Sequence, residues 1–458
     1  MPELSSPVRH ARNDDGTAPV VLAEAPSSFG KLPLELAGDI FINACGQNGQ
    51  LPNAGQGRLR LTLQLVSKSW RQVVIGTQNL WNDLDLDLWD FESLTLDSSL
   101  RRAESWLRNA GDSCISLKLT TFCCSVQSRK AIFSFLSTYH FKALAIQSVP
   151  SNPSQLTLLD LDDSIKNSLE TVMSLSLSMT WFYSHPSLIF PHQLPLFSLK
   201  YLTIKSMEID SVYENLSSVF PWDQLLQVNL HHFMRVGSAT EILRRCKSLI
   251  ECKITVMDES TPTEKVESHV RHLYIRGGGA IAQSIHAPKL ESLNVCSFDT
   301  AKVLARQSKD RLRWLVLRNQ KSIDLREVLE SMPSLQVVKI SKAIISQETL
   351  HLLVIGDIGA QLREIAVGLG VEQDAFFDAW QLLNMIQARQ ETANEEDSSI
   401  APFCSVSFFV FHGRWTNITK DHKRKANNLG KKYGICISFR RLDYTSMELD
   451  TDEEFEED

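Results

Sequence analysis

The sequence predicts an α/β protein in which a short helical module at the amino terminus is followed by a long array of alternating strands and helices. Residues 32–46 place apolar side chains at helical spacing between a proline and a glycine, which predicts a first helix. Beyond Trp81, a short apolar pattern typical of a strand recurs along the chain. With 458 residues and 43% apolar content, the chain exceeds one ordinary hydrophobic core, so a small module with a larger body is expected.

Charge is unevenly distributed along the chain. The formal net charge is -7, but residues 448–458 contain eight acidic residues and no lysine or arginine, so the remainder carries +1. A nearly neutral body without a dense basic stripe offers nucleic acid little electrostatic attraction. We therefore expect no nucleic-acid partner.

Cysteine usage and hydropathy bear on the compartment. The nine cysteines are scattered singly through apolar stretches and lack the spacing of a disulfide framework, which favours a reducing cytoplasm or nucleus. Residues 1–29 lack the apolar core of a signal peptide and are predicted to be a disordered leader. No apolar run approaches the roughly 20 residues that cross a bilayer, so a membrane partner is not expected.

The first predicted helix begins near Pro33, which suits a first helical turn, and ends near Gly46, which suits the position just past a helix. Five apolar residues share one face of this helix: Leu36, Ala37, Ile40, Phe41 and Ala44. A stripe of this width requires a covering surface.

The segments from residue 46 to residue 76 show three different local patterns. Residues 46–57 are rich in Gly, Asn and Gln, which predicts a loop. Leucines then alternate strictly from Leu59 to Leu65, which predicts a strand. A helical stripe follows at Val66, Trp70, Val73 and Val74, with Ser67 placed to cap it and Gly76 to end it.

Together these residues resemble an F-box, in particular the F-box-like segments of large fungal families. The resemblance covers roughly residues 30–90. It rests on Leu32-Pro33, Leu36, Ile40-Phe41, Leu65-Val66-Ser67-Lys68-x-Trp70-Arg71 and Leu80-Trp81. The stretch at 46–57 separates the first two helices more widely than in a compact F-box. The resemblance implies a helix at Leu59–Leu65 where the alternation predicts a strand, and both interpretations remain open.

The resemblance implies a binding function for this module. Its partner would be the Skp-type adaptor of SCF-type cullin-RING ubiquitin ligases and, through the adaptor, a cullin. A module of about 50 residues buries little surface, so its apolar helices gain by packing on a partner. The implied adaptor-binding residues are Leu32, Pro33, Leu36, Ile40, Phe41, Leu65, Val66 and Trp70. Alternatively, the segment is an apolar cap on the amino-terminal end of the repeat array.

Twelve segments share the pattern of an apolar residue, two others, an apolar residue, one other and an apolar residue. They begin at Trp81, Cys114, Phe141, Val172, Leu199, Leu225, Leu249, Val270, Leu290, Leu312, Leu335 and Leu362. Most intervals fall within the 20 to 29 residues typical of leucine-rich repeats. Helical spacing occurs between several of them, at 239–249, 301–309, 323–332 and 376–390.

The pattern resembles leucine-rich repeats over roughly residues 80–370, which implies a solenoid of horseshoe type. The regular Asn or Cys at the ninth position is lacking, so the solenoid is expected to be irregular and to have no asparagine ladder. A single unit buries too few apolar side chains to offset its ordering entropy, so neighbouring units must stack. The alternative is an ordinary α/β domain with parallel strands.

These patterns predict the domain organisation. The F-box-like module occupies 30–90 and the solenoid 91–390. A carboxy-terminal cap with two strand-like runs, 405–411 and 434–439, and a basic segment occupies 391–445. An acidic, disordered tail occupies 446–458.

A target protein is expected to bind the concave face of the solenoid, which is formed by residues that alternate with the buried ones. The predicted target-binding residues are Tyr201, Asn229, Lys253, Tyr274, Asn294, Val316 and Lys339. Tyr201 and Tyr274 are the expected anchors because aromatic residues often dominate binding energy.

Signatures of catalysis are lacking. The chain has no phosphate loop, nucleotide fingerprint, HExxH motif or serine-nucleophile elbow, and the glycine run at 277–279 predicts a tight turn. The metal-like groupings are His231-His232, His269-x-x-His272, Cys123-Cys124 and Cys246-x5-Cys252, and none has a second pair at zinc spacing. We therefore expect no catalytic residue, metal or cofactor.

The sequence thus predicts a substrate-recognition subunit of an SCF-type ligase, in the cytoplasm, the nucleus or both. Two alternatives remain open: a leucine-rich repeat scaffold with no ligase role, and a hydrolase that uses one of the scattered Cys and His residues. The basic cluster at 420–432 is either a nuclear-localisation or acidic-partner patch or a solvated face.

Overall fold

The computed structural model describes residues 32–45, 54–88, 93–111, 115–121, 126–148, 165–179, 194–205, 219–257, 265–277, 279–318, 321–369, 379–411 and 418–442. The predicted leader and the predicted acidic tail lie outside these ranges. The chain divides into two compact units, Met1–Trp81 and Asn82–Asp458. The boundary falls before residue 90 because the strand at Asp83–Leu88 pairs with a strand of the second unit.

The described part of the first unit is helical. Helix α1 spans Leu34–Ala44, α2 spans Ala54–Val66 and α3 spans Lys68–Gly76, and a 3-10 turn follows at Gln78–Trp81. The structure therefore gives a helix at Leu59–Leu65, as the F-box resemblance implies, and the strand that the alternation predicts is wrong. The predicted loop is also too long, because residues 54–57 already belong to α2.

The second unit is built on one long sheet of parallel strands. Its strands are β1 Asp83–Leu88, β2 Ile115–Thr121, β3 Phe141–Ser148, β4 Ser174–Met179, β5 Tyr201–Lys205, β6 Gln227–Met234, β7 Glu251–Val256, β9 His272–Gly277, β11 Ser292–Val295, β12 Trp314–Leu317, β13 Ile323–Asp324, β14 Val337–Ile344, β15 Glu364–Leu369, β16 Ser405–Phe411 and β17 Cys436–Leu442. Two short strands, β8 Val266–Glu267 and β10 Ile285–His286, pair with each other. Strand order follows chain order from β1 to β17, except that β13 lies beside β14 and off the main path.

Helices alternate with these strands. They are α4 Ser93–Ala110, α5 Val126–Leu136, α6 Lys166–Leu169, α7 Val236–Arg245, α8 Ile281–Ser284, α9 Phe298–Ser308, α10 Leu325–Ser331, α11 Gln347–Ile355, α12 Ala379–Ala393 and α13 Lys420–Tyr433. The fold is therefore mixed α/β with a long parallel sheet, and parallel pairing accounts for the crossover segment between successive strands.

The core of the second unit follows from the strand register. Each of the twelve predicted strands is present, and the middle apolar residue of every pattern pairs with its counterpart on the next strand. This ladder is Leu84, Leu117, Leu144, Leu175, Leu202, Val228, Cys252, Leu273, Leu293, Leu315, Val338 and Ile365. Its members are buried, as the sequence pattern predicts. Successive side chains of a strand point to opposite faces of the sheet, so residues at equal positions on neighbouring strands share one face.

The two carboxy-terminal runs extend the same sheet. Strand β16 pairs in parallel with β15, and β17 pairs in parallel with β16. Phe403, Val406 and Phe408 repeat the apolar pattern of the preceding strands and are buried. The sheet thus continues beyond residue 390, where the sequence predicts that the repeats end.

A buried arginine of α12 holds this helix against three other parts of the backbone. Arg389 is 0% exposed. Its guanidinium donates to the backbone oxygens of Leu353, Gly359, Ala360, Leu362 and Ala401, at 2.6 to 3.2 Å. It also lies over the ring of Phe403, with 4.5 Å to the ring centroid. The acceptors lie in the last turn of α11, in the segment between α11 and β15, and in the segment before β16, so one side chain joins three parts of the backbone.

Candidate protein-binding surfaces

The first candidate surface is on the helical module, and its helices are held by a small core. Ser67 caps α3, since the Trp70 N–H donates to Ser67 Oγ at 3.1 Å. The Trp70 ring packs against Phe41 of α1, with 4.9 Å between ring centroids. Trp81 is buried, and its Nε1 donates to the backbone oxygen of Val74 at 2.8 Å. The module's aromatic residues therefore join α1, α3 and the 3-10 turn.

A glycine allows α1 to approach the end of α3. A Cβ atom at Gly38 would lie 2.9 Å from Thr77 Oγ1. That hydroxyl donates to the backbone oxygen of Val73 at 2.8 Å, which holds the threonine in place. The buried side of α1 is thus formed by small residues and Phe41.

The rest of the module's apolar side chains remain exposed. Nine large apolar residues are at least 37% exposed: Leu32, Leu34, Leu36, Ile40, Leu59, Leu61, Leu65, Val66 and Ile75. We use the term apolar face of the module for four of these residues, Leu36, Ile40, Leu61 and Leu65, which form adjacent pairs on α1 and α2. The second unit, with many more described residues, has seven exposed side chains of this kind. Exposed apolar surface is therefore concentrated in the module, which marks it as a candidate interaction site.

Helical spacing organises part of this surface. Leu36 and Ile40 lie four residues apart on α1, and Leu61 and Leu65 lie four residues apart on α2. Residues at this spacing are neighbours on a helix surface. Leu65 is 78% exposed, and Leu36 is 52% exposed. Each helix thus presents a pair of adjacent apolar side chains.

The predicted adaptor-binding residues divide into two groups. Six are exposed: Leu32, Pro33, Leu36, Ile40, Leu65 and Val66. Phe41 is buried and Trp70 is half-buried against it, so these two residues stabilise the module itself. The helical stripe predicted to begin at Val66 is also corrected, because Val66 ends α2 and Ser67 separates it from α3.

The second candidate surface is the face of the sheet opposite to its buried ladder. Six of the seven predicted target-binding residues form one continuous row of paired positions, which we call the central row. It consists of Asn229, Lys253, Tyr274, Asn294, Val316 and Lys339. Tyr201 is displaced from the row, because Asn229 pairs with Thr203 and Tyr201 pairs with Gln227. Thr203 is the residue that sequence reasoning missed at this position, and counting from Leu202 would have identified it.

Two members of the central row are less accessible than expected. Asn294 is 8% exposed and Val316 is 9% exposed. Strand β11 carries Asn294 between β9 and β12, and the longer side chains of Tyr274 and Arg318 meet across it. Polar contacts with a target are therefore expected from the neighbours of Asn294 rather than from Asn294 itself. A role for the row in target binding remains a prediction.

Cationic and aromatic side chains surround the central row. Arg318 Nη1 donates to the Tyr274 hydroxyl at 3.0 Å. Lys339 Nζ lies 5.6 Å from the ring centroid of Trp314. Lys253 forms an ion pair with Glu251 at 3.1 Å. Sequence reasoning missed both Trp314 and Arg318. It considered only the residue between the last two apolar positions of each pattern, whereas Trp314 directly precedes Leu315 and Arg318 directly follows Leu317.

Cysteines do not form a site in the described part of the chain. Cys45, Cys246 and Cys252 are buried, whereas Cys404 and Cys436 are exposed. Burial raises the pKa of the Cys246 thiol to about 12. Burial also raises the pKa of Cys252 well above its ordinary value. Among the described residues, no group of three or more His, Cys, Asp or Glu side chains is placed to hold a metal ion.

The basic cluster at 420–432 is part of helix α13. Arg424 forms an ion pair with Asp421 at 3.5 Å, and Lys432 forms one with Glu391 at 3.5 Å. Lys425 lies over the ring of Trp380, 5.4 Å from its centroid. Several of these cations therefore stabilise the packing of α13. None of the helices that the structure describes combines the length and the apolar character needed to cross a bilayer.

Comparison of the chain with protein-family models and with curated proteins gave no match.

Proposed function

We propose that this chain is the substrate-recognition subunit of an SCF-type cullin-RING ubiquitin ligase. In this proposal the module binds a Skp-type adaptor, which links it to a cullin. The body is an irregular leucine-rich repeat solenoid that binds a target protein. The protein acts in the cytoplasm, the nucleus or both, and performs no catalysis itself.

The apolar face of the module carries this proposal. Leu36 and Ile40, and likewise Leu61 and Leu65, are adjacent pairs that are exposed although each would gain free energy on burial. The small core around Phe41 and Trp70 holds the helices without covering these pairs. A partner with an apolar groove would cover them. The positions of Leu32, Pro33, Leu36 and Leu65 within the F-box-like pattern favour a Skp-type adaptor as that partner.

The regular strand register supports the second half of the proposal. The same apolar pattern occupies equivalent positions on the twelve strands of the buried ladder, and these strands follow one another along the sheet in chain order. Stacking of similar units is the arrangement of repeat proteins, which commonly bind other proteins through an extended surface. The central row is the surface expected to contact the target.

The adaptor half is tested by titrating a purified Skp-type adaptor into the full chain by calorimetry. Two variants each remove one exposed pair: Leu36→Gln with Ile40→Gln, and Leu61→Gln with Leu65→Gln. Glutamine keeps a high helix propensity, so α1 and α2 should still form. Each variant should weaken binding more than tenfold, a loss above about 1.4 kcal/mol.

The matched control replaces two exposed apolar side chains of the second unit, Phe197→Gln with Met257→Gln. It should bind the adaptor like the unmodified chain. Equal affinity of all three variants, with unchanged circular dichroism, would remove the apolar face from the interface. Failure of the unmodified chain to bind any Skp-type adaptor would leave a repeat scaffold with no ligase role.

A further inference from the structure

A row of cations lies at one edge of the long sheet. In parallel strands the carboxyl ends meet at the same edge. At this edge, β5 ends in Lys205, β9 carries Arg276 and β12 is followed directly by Arg318. We call these three residues the cationic edge. Lys253 and Lys339 of the central row lie beside it. They pair with Tyr274 and Val316, which are two residues before Arg276 and Arg318.

The charge balance of the cationic edge can be followed through the residues that the structure describes. Within the described part of the chain, none of its three side chains forms an ion pair with a carboxylate. Three described carboxylates follow strands at this edge, Asp299, Asp324 and Glu348, and all lie at helix starts, where the helix dipole favours negative charge. Glu348 also forms an ion pair with Arg326 at 2.7 Å. Asp324 accepts a hydrogen bond from the backbone N–H of Arg326 at 2.9 Å. Among the described residues, the charges of Lys205, Arg276 and Arg318 at this edge are therefore not neutralised by a carboxylate.

The sequence supplies a segment of opposite charge. Residues 448–458 contain eight acidic residues, no lysine or arginine, and one aromatic residue, Phe455. Strand β17 ends at Leu442, at the same edge of the sheet as the cationic edge, so the chain leaves the sheet beside that surface. Charge and aromatic character both complement Arg318 and Tyr274.

The reach of this segment matches the spacing of the cations. Strands lie about 4.8 Å apart, so β12 is about 19 Å from β17, and β5 is about 43 Å from it. An extended chain covers about 3.3 Å per residue, so Glu448, the sixth residue after Leu442, reaches about 20 Å. Asp458, the sixteenth, reaches about 53 Å. The acidic residues can therefore span the row from Arg318 to Lys205.

We propose that the acidic tail, residues 446–458, binds the cationic edge of its own sheet and competes there with acidic segments of other proteins. The tail is tethered, so its effective concentration at the edge is on the order of millimolar. A target must displace it. This inference concerns the second unit alone and does not depend on adaptor binding.

The test uses a fluorescein-labelled synthetic peptide of residues 446–458 as the probe. Its binding is followed by fluorescence anisotropy, in 50 mM and in 300 mM NaCl. The full chain is compared with a chain that ends at Thr445 and so retains every described residue. The shortened chain should bind the peptide at least tenfold more tightly than the full chain, and high salt should weaken its binding because salt screens the attraction.

Two sets of variants of the shortened chain locate the site. Lys205→Gln with Arg276→Gln should weaken peptide binding more than fivefold, and addition of Arg318→Gln should weaken it further. A matched control removes the same number of exposed cations elsewhere, with Lys247→Gln, Lys289→Gln and Arg306→Gln. The control should bind within twofold of the shortened chain, and thermal unfolding should be similar for both sets.

Four results would overturn the proposal. Absence of peptide binding by the shortened chain would exclude the edge as an acidic-segment site. Equal binding by the full and shortened chains would show that the tail leaves the edge open to another protein. An equal loss in the control set would indicate general electrostatic attraction. If the full chain's weaker binding of the peptide disappeared on dilution, the tail would bind the cationic edge of a second copy of this chain and not that of its own sheet.

Discussion

Arg318 and Tyr274 form a bridge across strand β11. The guanidinium donates to the tyrosine hydroxyl at 3.0 Å, and its central carbon lies 4.9 Å from the ring centroid. The two residues come from β9 and from the end of β12, so the bridge joins strands that do not pair directly. It spans the strand that carries Asn294, on the face of the sheet where we expect targets to bind.

The bridge should be measurable by a double-mutant cycle with Tyr274→Ala and Arg318→Ala. A hydrogen bond combined with a cation–π contact on a half-exposed surface predicts a coupling of about 0.5 to 1.5 kcal/mol in urea unfolding. As the control, Tyr274→Ala with Lys205→Ala should show additive effects, since these side chains lie three strands apart. A coupling near zero for the bridge pair would contradict the contact.

Leu315→Ala tests the buried ladder. Leu315 is 0% exposed and pairs with Leu293 on one side and Val338 on the other. Truncation leaves a cavity between the strands, so the free energy of unfolding should fall by about 2 to 5 kcal/mol. Arg313→Ala, two residues earlier and exposed, should change it by less than about 0.5 kcal/mol. A near-neutral Leu315→Ala would contradict the register.

Arg389→Met tests the buried guanidinium. Burial lowers the pKa of Arg389 to about 10, which leaves the group charged at neutral pH. Methionine fills similar space but removes the guanidinium donor from the oxygens of Leu353, Leu362 and Ala401, whereas those of Gly359 and Ala360 keep a backbone N–H donor. The free energy of unfolding should therefore fall by at least about 3 kcal/mol. The matched variant Arg326→Met, on an exposed ion-pair network, should leave the urea midpoint nearly unchanged. Similar midpoints for the two variants would refute the role of Arg389.

Alkylation rates test whether a cysteine is activated for catalysis. Cys246 and Cys252 are buried, and their raised pKa values leave almost no thiolate at pH 8. Iodoacetamide followed by peptide mass spectrometry should label Cys404 and Cys436 before Cys246 and Cys252, because the first two are exposed and the last two are buried. Rapid labelling of Cys246 or Cys252 in the native protein would indicate an activated thiol and revive the hydrolase alternative.

The strands could be predicted from the sequence because one apolar pattern determines both burial and register. In a parallel sheet, equal positions of Leu202, Val228 and Cys252 on three neighbouring strands place all three side chains in one core. The helix α2 could not be predicted from alternation. Its leucines at every second position cannot share one helix face, so Leu63 is buried while Leu61 and Leu65 are exposed.

The candidate binding surfaces were only partly predictable from the sequence. Phe41, Trp70 and Leu36 all belong to the F-box-like pattern, and that pattern does not specify which residues pack within the module and which remain exposed. The Arg318–Tyr274 bridge joins residues on strands separated by β11, and their long side chains decide which residues beneath them are accessible. Such contacts depend on three-dimensional packing that strand periodicity does not encode.

The most direct measurement of the central claim is reconstitution of the complex from purified full chain, a Skp-type adaptor and the amino-terminal part of a cullin. The account predicts one species by size-exclusion chromatography with light scattering, with one copy of each component. The complex should be lost when Leu36→Gln and Ile40→Gln are introduced into the full chain. Elution of the unmodified chain apart from an intact adaptor–cullin complex would contradict the claim.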